Sequence, residues 1–152
     1  MSFWDWALAA YARPGTAQTC LELQNDHGQS IPFLLWVAWI AIDGRQLAPE
    51  ALARGAALSQ AWEAAAVGPL RQARQALKAS MAEVDDAARE ALREQVKAVE
   101  LNAERTLMNT LEKLAARGGV IGPPAPALLA AAQAWGRPAP SELLLGLAAK
   151  LV

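Results

Sequence analysis

One cysteine and one histidine in 152 residues set the first limits on this chain. A lone Cys excludes an internal disulfide and fits a reducing compartment. A lone His excludes the paired Glu-x-x-His motifs that build metal sites inside helical bundles. No metal and no cofactor is therefore expected. Charged residues are only 19% of the chain, and 14 Lys and Arg against 15 Asp and Glu leave a net charge of −1. With no positive field to gather phosphates, nucleic acid is not expected as a partner. Long apolar runs are missing as well. The longest, Pro32 to Ile42, is too short to span a bilayer, so no transmembrane segment is expected. The opening Met-Ser-Phe-Trp-Asp-Trp lacks a basic n-region, and no signal peptide is expected. No segment reads as a strand. Nothing matches a P-loop, a dinucleotide fingerprint or a nucleophile elbow.

What the chain does have is helical periodicity and helix punctuation. Hydrophobic residues make up 54% of it, enough for a substantial core in one domain. Ser2 with Asp5 three residues on predicts an N-cap and a first helix from Phe3 that ends before Arg13-Pro14-Gly15. Thr16 caps a second helix, which Gly28 terminates. Ser30, with Pro32 in the first turn, starts a third helix over 33–42. That segment is apolar on every face, so it belongs at the centre of the molecule. Pro49 opens a fourth helix with Leu52, Ala56, Ser59 and Trp62 inward, and Gly68-Pro69 kinks or breaks it. Beyond the break Leu70, Ala73, Leu77 and Met81 form one stripe, and Arg71, Arg74, Gln75 and Lys78 the opposite, basic face. A long helix over 85–117 carries the stripe Ala88, Leu92, Val96, Val99, Ala103, Leu107, Leu111 and Leu114. It pairs antiparallel with 49–80, and its far end is free to meet a partner. The expected fold class is all-α, an irregular bundle of about six or seven helices. Residues 1–117 form the helical domain, 118–125 a Gly/Pro linker, and 126–152 a helical tail packed on the body or on a partner.

Four of the six Trp, at positions 4, 6, 36 and 39, bracket the polar turn Asp26-His27-Gly28-Gln29. This arrangement suggests an apolar cup with a polar floor. Asp5, Asp26, His27, Gln29, Trp6 and Trp36 are the candidate ligand-binding residues. Histidine is the side chain whose unperturbed charge change falls nearest neutrality, and His27 is the single one here. It reads as a general base or ligand anchor, or as a histidine capping the second helix. The Trp side chains read as pocket walls or as core packing, with their N–H groups satisfying buried Asp side chains. Arg71, Arg74 and Lys78 form a candidate anion-binding face, or simply a wet one. Glu100 and Glu104 lie one turn apart and read as solvated carboxylates offset by Arg105 and Lys97. Cys20 reads as a small core residue.

The ordered set Phe3-Trp-Asp-Trp6, Asp26-His-Gly28, Leu34-Leu-Trp36, Trp62, Pro69-Leu-Arg71 and Glu104-Arg105 resembles a family of short, hypothetical proteobacterial proteins, a domain of unknown function. The resemblance covers about residues 2 to 115. It implies a small helical protein of the bacterial cytoplasm and carries no activity, cofactor or catalytic residue.

Two functions follow from the residues themselves. The first is a non-enzymatic interaction or adaptor protein with a protein partner or a second copy of itself, from the long helix and the apolar tail. The second is a small-molecule binding protein or enzyme with a pocket near His27 and the Trp cluster. Peripheral membrane contact through Arg71, Arg74 and Lys78 is a third, lesser expectation.

Overall fold

A computed structural model describes residues 1–43, 45, 47–115 and 123–152. Within them the protein is all-α, with helices α1 (Phe3–Tyr11), α2 (Thr16–His27), α3 (Ile31–Ile42), α4 (Pro49–Trp62), α5 (Gly68–Ala76), α6 (Asp86–Leu114), α7 (Pro124–Trp135) and α8 (Ser141–Leu151). Gly44 and most of the Gly/Pro segment, Gly118, Gly119 and Gly122 included, lie outside the described residues.

Local chemistry sets most helix ends. The Ser2 hydroxyl accepts the Asp5 N–H, Ser30 accepts the Phe33 N–H, and Asp85 accepts the Ala88 N–H. Each satisfies one of the free donors of a first turn. Two boundaries differ slightly from expectation. The cap of α2 is Gly15, and Thr16 is already helical. The third helix starts at Ile31, so Pro32 occupies a first-turn position where no N–H is needed.

α3 is the axis of the molecule. Every residue from Ile31 to Ala41 is buried, and α1, α2, α4, α6 and α7 all pack on it. Phe3 of α1 stacks on Trp39, with ring centroids 5.2 Å apart. Trp36 packs so closely on α4 that a Cβ at Gly55 would run into its ring. α7 lies along α3, and α8 packs on α7 and α2. Among the described residues no helix is long and apolar enough to cross a membrane.

Gly68-Pro69 neither breaks the fourth helix nor leaves it regular. Residues Glu63–Val67 widen into a π turn that carries α4 directly into α5. The Gly68 N–H reaches back to the Glu63 carbonyl, so the ladder slips by one residue just ahead of the proline. A Cβ on Gly68 would stand 2.8 Å from that carbonyl oxygen, which is why a glycine serves here. Counted as one continuous rod, α4 to α5 makes seven rods among the described residues, within the six or seven the sequence implies.

The faces of α5 and the first half of α6 differ from expectation. α5 buries no residue fully, and Met81 is exposed. Arg71 and Arg74 do not look out to solvent; they turn onto α6. On α6 the predicted stripe is buried only from Ala103 onward, while Leu92 and Val99 are 49% and 51% exposed. Apolar spacing identified one side of each helix, but the contact between them is made by guanidiniums and carboxylates. Arg89 closes the far end. It is buried, and its Nη1 donates to the Leu77 carbonyl at 2.7 Å, satisfying a terminal acceptor of α5.

Candidate functional site

The predicted polar turn sits at the seam with the C-terminal helices. Gly28 adopts φ +62°, a left-handed conformation suited to glycine. Its carbonyl accepts the Trp135 indole N–H at 2.8 Å. The buried Gln29 donates to the Arg137 carbonyl at 2.9 Å. His27 is half-buried and makes no side-chain hydrogen bond among the described residues, and Asp26 is exposed. Asp5 is exposed and accepts a bond from the Ser2 hydroxyl. Trp6 is half-buried beside Phe3, and Trp36 is wholly buried beside Phe33. The structure thus joins Gly28 and Gln29 to α7 and the turn after it, and leaves Asp5 and Asp26 on the surface.

The concave site lies nearby, on the face where α1, α2, α3 and α6 meet. It is a cleft of about 360 Å³, within the range of small-molecule pockets. α1 contributes Trp4, Leu8 and Tyr11, which share one side of the helix at i, i+4 and i+7. Its other side, with Phe3, Ala7 and Ala10, faces the core. α3 supplies Ile31, Pro32 and Leu35, and α6 supplies Leu101, Glu104 and Met108. Gln24 of α2 and the Tyr11 hydroxyl are polar groups on the wall, with Glu104 the ionisable carboxyl. The six residues proposed from sequence as ligand contacts, Asp5 to Trp36, do not line this cleft.

Behind Glu104 runs a charged seam joining the π turn, α5 and α6. Arg71 Nη1 meets Glu63 Oε1 at 2.6 Å, and Arg74 Nε meets Glu100 Oε2 at 2.5 Å. Arg71 Nε stands 3.6 Å from Glu100, and its Nη2 stands 3.9 Å from Glu104. Glu100 is buried and Glu104 half-buried, so neither is the solvated carboxylate the sequence implied. Of the three cations on the predicted basic face, only Lys78 stays exposed. Trp62 pins the seam by donating its indole N–H to the Ala103 carbonyl at 2.8 Å. Among the described residues no group of three or more His, Cys, Asp or Glu is placed to hold a metal ion.

The electrostatics single out Glu104. Burial, then the nearby charge of Glu100, pushes its carboxyl from 4.5 up to about 7, against the pull of Arg71. Burial likewise raises the Tyr11 phenol, with Cys20 and Glu104 adding to it. Hydrogen bonding to Glu100 raises the Arg74 guanidinium further, so it remains a fixed cation. Near neutral pH the site can therefore hold or release one proton at Glu104, against a permanently charged background.

Sequence reasoning named Glu104 but placed it in water. The missed signal was the second apolar stripe of α1, Trp4, Leu8 and Tyr11, on a helix whose first stripe is already committed to the core. A short helix with two apolar sides can bury one in the core and turn the other to a cleft.

Residues 2–111 match the model of a family described as a protein of unknown function, DUF2390. The match spans most of the chain, and the protein belongs to this family. No curated protein matches it, and no solved structure does.

Proposed function

We propose that this DUF2390 member is a small-molecule binding protein whose site is the cleft between α1, α2, α3 and α6. One observation carries the reading. Glu104 is a single carboxyl set in apolar walls, with its nearest guanidinium at 3.9 Å, beyond hydrogen-bond reach. A buried carboxyl without a firm partner is costly unless something else engages it. Mostly apolar walls with a few polar groups are the usual makeup of a ligand site. A screen of small aromatic and alkyl compounds, followed by NMR, tests this. Hits are expected to move the Trp4 indole and Gln24 side-chain signals. Leu8→Trp, at the half-open rim, is expected to abolish them. Hits scattered over the surface, or hits that survive Leu8→Trp, would overturn the reading.

The adaptor reading rests on a different observation, the two half-exposed apolar residues Leu92 and Val99 on α6. They lie seven residues apart on one face of the helix. If that face binds a partner or a second copy, light scattering of the protein gives a mass above 16.1 kDa. Leu92→Glu with Val99→Glu returns it to the monomer. A monomer at all concentrations, with no partner recovered, removes this reading. We place the protein in the bacterial cytoplasm on the strength of its single cysteine, which can form no internal disulfide.

A further inference from the structure

Among the described residues the charged seam is one cation short. Glu63, Glu100 and Glu104 face two guanidiniums, those of Arg71 and Arg74. Glu63 and Glu100 take them at hydrogen-bonding distance, and Glu104 is left with a contact of 3.9 Å. The next cation on α6, Arg105, lies instead over the Trp4 ring, 5.3 Å from its centre. From α1 the group that faces Glu104 is the Tyr11 phenol, which brings no positive charge. The carboxylate left over is also the one that opens onto the cleft.

We propose that the ligand of the cleft is a small apolar amine. Its ammonium seats against Glu104 and completes the charge balance of the seam. Its aromatic or alkyl body lies among Trp4, Leu8, Leu35 and Met108. This rests on the cleft being the binding site. A cleft of about 360 Å³ takes a ring with a short chain. An anionic ligand would instead face the like charges of Glu104 and Glu100. A neutral one would leave the seam short of its cation. The Tyr11 wall also suits a cation, because the face of its ring is electron-rich.

The amine binds the ionised carboxylate, so binding and deprotonation of Glu104 are linked. Free Glu104 titrates at about 7. Binding below about pH 7 therefore releases a proton, and affinity climbs several-fold between pH 5.5 and 8.

Calorimetry with three probes of one shape tests the proposal: 4-phenylbutylamine, 4-phenylbutanol and 4-phenylbutyrate. The amine is expected to bind at least tenfold more tightly than the alcohol at pH 8, as for a charge-assisted hydrogen bond. Its binding enthalpy at pH 6.5 is expected to vary with the ionisation enthalpy of the buffer, which reads the released proton. Glu104→Gln is expected to remove both the preference and the pH dependence. Every other titratable group is untouched in that variant, so a surviving pH dependence would place its source outside Glu104 and overturn the proposal. The alcohol arm in Glu104→Gln shows that the variant still folds and binds. Equal binding of amine and alcohol, or tightest binding of the butyrate, overturns the amine inference while leaving the cleft as a site. Binding of none of the three overturns both.

Discussion

Replacing Glu104 by Gln isolates the energetic cost of holding a carboxyl in the cleft wall. Burial is the main cause of its rise from 4.5 to about 7, with Glu100 next and Arg71 opposing. A carboxyl raised in this way binds its proton more tightly in the folded state than in the unfolded one. Stability is therefore lost as pH climbs from about 4.5 through about 7, where the unfolded chain has already ionised. At 1.36 kcal/mol per pH unit, the full loss above pH 7 is about 3 kcal/mol. The side chain is 27% exposed, and solvent screening makes that figure an upper bound. Gln has nearly the shape of the protonated acid and no charge. Glu104→Gln should then match the parent at pH 4 and exceed it by up to about 3 kcal/mol at pH 8. For a chain of this size that is a rise in Tm of about 6–12 °C. Thermal or urea melts of both proteins from pH 4 to 8, with the difference plotted against pH, read the effect directly. Parallel curves would show that burial does not set the titration of Glu104. A variant that is less stable at pH 8 would show that attraction to Arg71 outweighs burial, and would refute the reasoning.

Three further outcomes follow from the packing. Gly55→Ala drives a methyl into the wholly buried Trp36 ring; denaturant melts should show a loss of about 1–3 kcal/mol, and an unchanged midpoint would contradict the contact. Burial pushes the Cys20 thiol up to about 12, so native protein at pH 8 should resist Ellman's reagent and react fully only in urea; rapid native labelling would count against a buried thiol. Trp135→Phe removes the donor to the Gly28 carbonyl at a cost of about 1 kcal/mol. The Gly28 and Gln29 amide signals should shift with it, and their constancy would argue that α7 does not dock on that turn.

The fold was largely readable because its signals are local. The Ser2 and Ser30 caps, the Gly28 stop and the Pro49 start each act within one turn of their own helix. The all-apolar segment that became α3 could be placed only at the centre, since each of its faces needs cover. The π turn was less readable. Gly68-Pro69 announces a disturbance, but a break, a kink and a slipped ladder share that signature. The candidate site was the hardest to read. The Trp cluster drew attention to Trp6 and Trp36, which the core absorbs. Trp4, two residues from Trp6 and so on another side of the helix, reached the cleft.

From the sequence alone come the helices, most of their ends to within a residue or two, the central place of α3 and the absence of an internal disulfide. All of these depend on nearest neighbours along the chain, on periodicity or on a residue count. Tertiary structure decided which side of α5 faces inward and what Glu104 is. A run of Arg71, Arg74 and Lys78 reads as a wet face until α6 brings Glu100 and Glu104 against it. Apolar burial follows from one helix's own pattern, but charge pairing depends on both helices and on the water left between them. Glu104 and its cleft therefore emerge only when α1, α3, α5 and α6 have come together.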